Sequence, residues 1–99
     1  MIGEIKVGIK VKFAEEKQSY MVRACNTRYA VCTKPFNLKR TVLYTIIDLL
    51  NEIRGTEDLI FCYGAKTDKE CEEMLKRLSK GETSISRRNN VPLKIERIR

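Results

Sequence analysis

The chain has 99 residues, 42% of them hydrophobic and 33% charged, and a formal net charge of +7. That is room for one domain with a modest core and the composition of an ordinary globular protein, and no run approaches the ~18 apolar residues of a membrane span. The four cysteines form no Cys-x-x-Cys pair and histidine is absent, which argues against zinc and removes the commonest general base.

The first dozen residues alternate and carry lysines, with no apolar leader block, so the expected location is intracellular, in the cytoplasm. Residues 5–13 (IKVGIKVKF) predict a strand. Ile5, Val7, Ile9, Val11 and Phe13 share one face; Lys6, Gly8, Lys10 and Lys12 share the other. Gly8 marks a bulge or a close backbone approach. The lysine face reads as a solvated edge that discourages aggregation, or as a second anion site formed by Lys6, Lys10 and Lys12.

Ala14–Ser19 reads as a hairpin connection, Ser19–Ala24 as a second strand, and Cys25–Thr27 as a turn on Asn26. Arg28–Thr33 predicts a third strand, ended by Pro35. The segment 36–40 (FNLKR) is a loop in which Phe36 either plugs the core or joins Asn37, Lys39 and Arg40 in a contact surface.

Thr41–Ile47 and Leu59–Tyr63 are apolar, β-branched and aromatic, which suits strands. A helix over Leu38–Ile53 also fits a 3.6-residue period, but Thr41, Val42, Thr45, Ile46 and Ile47 favour the strand. Residues 51–58 read as the connection, with Gly55 taking an unusual backbone angle. Both runs are apolar on both faces, so both faces need cover: a second subunit, or a sheet curled on itself.

Thr67–Leu78 predicts a helix. Thr67 and Glu70 form a capping box, Cys71, Met74, Leu75 and Leu78 make one apolar stripe, and Gly81 is the stop. Asp68 and Glu70 make its first turn a poor phosphate site. Arg87–Asn90 reads as a hinge before a last strand, Val91–Ile98, held to an edge by Pro92. The expected fold is α+β: a small antiparallel sheet of five or six strands with one main helix over residues 67–79 on one face, in an oligomeric protein.

No nucleophile motif, P-loop or GxGxxG is present. Asp48 and Glu52, four apart, are weak evidence of acid–base chemistry, so the expectation is a protein that is not an enzyme. What remains is the binding of an anion. Arginine makes bidentate contacts to phosphate, asparagine reads base or ribose edges, and aromatic faces stack bases. The candidates are Phe36, Asn37, Lys39 and Arg40; Arg54 and Thr56; and Arg87, Arg88, Asn89 and Asn90. No cofactor is expected.

The segments RYAVCTKPFNLKRTVLYTIIDL, IRGTEDLIF and SRRNNVPL, within Arg28–Leu93, resemble the first Thoeris anti-defence family of phage proteins. The resemblance implies a non-catalytic sponge acting in the cytoplasm of an infected host cell. Its ligand is an intact cyclic ADP-ribose isomer made by TIR-domain enzymes, held at a dimer interface. Some members are similar to hexamers with a second site for cyclic oligonucleotides. On that reading arginines face the diphosphate, and Phe36 or Phe61 stacks the adenine. The alternative is a small basic RNA- or DNA-binding module using the same segments along a phosphate backbone. Against it stand an aromatic content of 7% and the lack of any RNP, OB or helix-turn-helix signature. A third reading, a protein-interaction subunit, leaves the arginine segments without a ligand.

Overall fold

In the computed structural model, residues 5–14, 16–35, 42–57, 67–87 and 93–99 are described. They form strands β1 (Lys10–Phe13), β2 (Tyr20–Cys25), β3 (Tyr29–Pro35), β4 (Val42–Asp48) and β5 (Ile53–Glu57), helix α1 (Asp68–Ser79), and strands β6 (Ile85–Arg87) and β7 (Ile95–Ile98). All seven strands join one sheet in the order β6-β5-β4-β3-β2-β1-β7. Every pairing is antiparallel. The fold is therefore α+β, as expected, and among the described residues one helix lies on a sheet face and the sheet has seven strands where five or six are anticipated.

Alternation along the strands divides the apolar residues between the two faces. Val11, Phe13, Tyr20, Val22, Ala30, Cys32 and Ile47 fill one cluster. Ala24, Val31 and Ile46 form the other with Cys71, Met74 and Leu78 of α1. Val22 and Ala24 are two apart yet lie in different clusters. A register shift between them, where Val22 faces Cys32 and Ala24 faces Val31, inserts the extra residue that reverses the phase of β2.

The helix-free cluster is covered by the sheet itself. On a flat sheet β5 and β1 would stand four spacings apart, roughly 19 Å. Instead the Arg54 guanidinium of β5 lies 3.8 Å from the ring centroid of Phe13 in β1. The sheet curls until its inner face closes on its own side chains, which is one of the two covers anticipated for the doubly apolar run at Thr41–Ile47.

Helix α1 follows its sequence signals. Thr67 accepts from the Glu70 amide at 3.1 Å, and its hydroxyl donates to the Glu70 carboxylate at 3.2 Å. Gly81, at φ +75°, ends the helix while Glu82 N donates to the Arg77 carbonyl. Its longest apolar stripe is much shorter than a bilayer crossing, and among the described residues no helix is long and apolar enough to span a membrane.

Several boundaries differ from expectation. Residues 5–9 are a turn rather than strand: Ile9 N donates to the Lys6 carbonyl, with Gly8 at φ +95°, the position where a type II turn demands positive φ. Residues 53–57, expected as a connection, are β5. Gly55 pairs with Ile46 and Arg87 as ordinary strand, and the positive φ falls on Glu52 in the preceding turn, at 55°. Arg87, expected in a hinge, closes β6. The last strand is shorter than Val91–Ile98 and pairs with β1 on the edge opposite β6. The strand expected at Leu59–Tyr63 lies outside the described residues.

Candidate ligand-binding site

Among the described residues Arg54 is the one buried cation, 8% exposed. It faces Ile47 across the β4–β5 ladder, which aims its side chain into the curl. There Nε donates to Thr45 Oγ1 at 3.0 Å, one terminal nitrogen donates to the Tyr20 hydroxyl at 3.3 Å, and the other is ion-paired with Glu16. The face of the guanidinium lies over Phe13, and its carbon is 5.4 Å from the Tyr20 centroid. Phe13 and Tyr20 themselves meet edge to face at 5.5 Å.

Lys34 comes to the same carboxylate from β3. Its ammonium is 3.4 Å from Glu16 and 4.9 Å from the Tyr20 ring centroid. Two cations thus share one acid among aromatic walls. Burial pushes the Glu16 carboxyl up, but the hydrogen bond and charge of Arg54, joined by Lys34, outweigh it and hold the group below the ordinary glutamate range. The cluster stays ionised at neutral pH with a surplus of one positive charge.

Strand geometry explains the convergence. Thr45 and Thr56 lie on the inner face with Arg54, since Ile46 pairs with Gly55 and the pleat alternates. Lys34 comes from the end of β3, next to the Met21–Thr33 pair. Arg54 and Thr56, named from sequence, are therefore brought to one place. Phe13, Glu16, Tyr20, Lys34 and Thr45 complete it and were not singled out. Lys34 and Glu16 carried a faint signal, flanking predicted strands; Thr45 carried none.

The second-site lysines are not gathered on one strand face. Lys6 sits in the turn before β1, Lys10 is exposed on β1, and Lys12 is paired with Glu96 at 3.0 Å. Phe36, Asn37, Lys39, Arg40, Phe61, Arg88, Asn89 and Asn90 lie outside the described residues, as does the side chain of Arg87. Burial pushes the thiols of Cys32 and Cys71 up to about 12 and about 11, so both are protonated at neutral pH and poor nucleophiles.

No protein-family model, curated protein or solved structure matches this chain.

Proposed function

We propose that the protein is an immune-evasion sponge that binds a cyclic nucleotide signal, a cyclic ADP-ribose isomer from a TIR-domain enzyme, and holds it without cleaving it. The reading joins the sequence resemblance to one structural observation. Arg54 and Lys34 share a single carboxylate inside a curled sheet, between aromatic rings. A phosphate that displaces Glu16 meets a planar guanidinium donor, an ammonium and two hydroxyls, with water already restricted. Phe36, Asn37, Lys39, Arg40, Phe61, Arg87, Arg88, Asn89 and Asn90 enter the reading on sequence alone.

Sequestration fits what the described side chains offer. The two buried thiols are protonated, and the ionised Glu16 is committed to cations rather than placed as a base. Self-association, as a dimer or as the hexamer the resemblance implies, belongs to the same proposal, as does action in the cytoplasm of an infected cell. Capture of cyclic oligonucleotides at a second site, with Lys6, Lys10 and Lys12, is its outermost part.

The test is to incubate the purified chain with a nucleotide library, wash it, denature it by heat, and identify what is released by mass spectrometry. Release of an intact cyclic nucleotide is expected. Release of a hydrolysed product would mean an enzyme. An empty protein that instead shifts RNA or DNA, with affinity falling steeply in salt, would favour the nucleic-acid module.

A further inference from the structure

A second concavity lies on the face of the sheet opposite the Arg54 side chain, where the end of α1 meets the β2–β3 and β4–β5 turns. It has a volume of about 430 Å³, within the ~300–1,000 Å³ of small-molecule sites. Its apolar walls come from Tyr29, Ile53, Leu78 and Ile85, and its charges from Arg28, Lys80 and Asp48.

The polar groups differ sharply in how far they are satisfied. Asp48 is fully used: it accepts from the amides of Leu50 and Asn51 and the Asn51 side chain, all at 3.0 Å, and from Arg28 at 3.4 Å. Four donors fill its four acceptor positions. Arg28 gives Asp48 only that one long contact, and half of its side chain is exposed. Its guanidinium sits 5.0 Å from the Tyr29 ring centroid, leaving donors turned outward. Lys80 has no ion-pair partner among the described residues. The hydroxyl oxygen of Thr83, which also lines the cleft, is buried and has no hydrogen-bond partner among them either.

A buried hydroxyl without a partner is costly, so a turn about the Thr83 side-chain bond that brings it to an acceptor held in the cleft would be favoured. Two cations against one committed carboxylate leave a single positive charge. The helix C-terminus adds little negative potential, because Gly81 N and Glu82 N cap the Leu78 and Arg77 carbonyls. The walls accept a flat apolar body. We propose that this cleft binds a small organic monoanion, an aromatic carboxylate in the simplest case. The anionic group would lie between Arg28 and Lys80 with the ring against Leu78 and Ile53, and the Thr83 side chain would turn its hydroxyl out to the anion. This site is separate from the Arg54 cluster and stands or falls independently of the nucleotide reading.

The probe is benzoate, titrated into the ¹⁵N-labelled full chain and followed by amide shifts. Amides of Arg28, Tyr29 and Gly81–Ser84 should move together, saturating in the roughly millimolar range expected of so small a ligand. Benzamide, uncharged, and acetate, without the ring, should bind at least about tenfold more weakly. Lys80→Gln, at an exposed position, should weaken benzoate about threefold and leave Tm unchanged. Thr83→Val should weaken it too, yet raise the Tm of the ligand-free chain by about 4 °C or more, because the unpaired hydroxyl is gone. No saturable shift with benzoate, equal binding of benzamide, or a lower Tm in Thr83→Val would overturn the proposal.

Discussion

Arg54 combines two demands that usually conflict. Burying a guanidinium costs several kcal/mol unless the charge is paired and its donors are met. Glu16, Thr45 and Tyr20 take one contact from each of its three nitrogens, while Phe13 covers its face. Arg54→Ala should therefore destabilise the chain by about 2–4 kcal/mol in urea unfolding, because it strands Glu16 and opens the inner face. Arg54→Lys should recover little, since an ammonium cannot reproduce the planar fork. If ligand phosphate takes the place of Glu16, Glu16→Gln should tighten nucleotide binding several-fold while lowering stability. Weaker binding in that variant would remove Arg54 from the site.

The same residues set a pH dependence. Burial raises the carboxyls of Glu16 and Asp48, and the stronger opposing contacts, from Arg54 and Lys34 for the first and from Asn51, Arg28 and Leu50 for the second, bring both below their ordinary values. Groups lowered in the folded state stabilise it at neutral pH. That contribution is complete above the ordinary carboxylate range, at pH ~4, and is lost as pH falls through the lower folded values. Urea midpoints should drop between roughly pH 4.5 and 2, and the drop should shrink in Glu16→Gln and in Asp48→Asn. An unchanged profile in both variants would mean that neither carboxylate is held by its partners in solution.

At the scale of elements, α1 is the most autonomous part. Its cap, its stripe of Cys71, Met74 and Leu78, and its Gly81 stop are all local signals. Thr67→Ala should cost about 1 kcal/mol and Met74→Ala about 2–4 kcal/mol through an unfilled cavity, both read as shifts of the thermal midpoint. These features were legible in the sequence because a 3.6-residue period and a capping pair are decided within a dozen residues. β5 was not, because Arg54 and Gly55 look like loop residues. Arg54 is polar only until Glu16, 38 positions away, neutralises it, and Gly55 is an ordinary strand residue once Ile46 and Arg87 flank it. The placement of β7 beside β1 was equally hidden: nothing local to Ile95–Ile98 says that it crosses to the edge opposite β6. Of the ligand candidates, Arg54 and Thr56 could be named from residue type, but not the carboxylate and the rings that surround Arg54, which the curl brings together.

For the molecule as a whole, the curl changes what the surface must do. In β4, Ile46 is covered by α1 on one side and Ile47 by residues of β1, β2 and β3 on the other, all within one chain. Among the described residues the large hydrophobics left outside are Val7 and Leu50, 59% and 71% exposed. Among the described residues these two are the apolar groups that a seam could use, and Leu50→Ser should weaken self-association if Leu50 is at the seam. Sedimentation velocity reads that effect directly; a monomer at every concentration would contradict the oligomeric part of the proposal. A net charge of +7 would speed the encounter with the anion that the proposal requires.

The most direct test of the sponge is native mass spectrometry of the intact chain mixed with cyclic ADP-ribose isomers at low micromolar concentration. The account predicts a complex heavier than the protein by the mass of the uncleaved ligand, surviving buffer exchange at physiological salt. A spectrum showing only ligand-free protein with every isomer, or only a hydrolysed fragment bound, would contradict it.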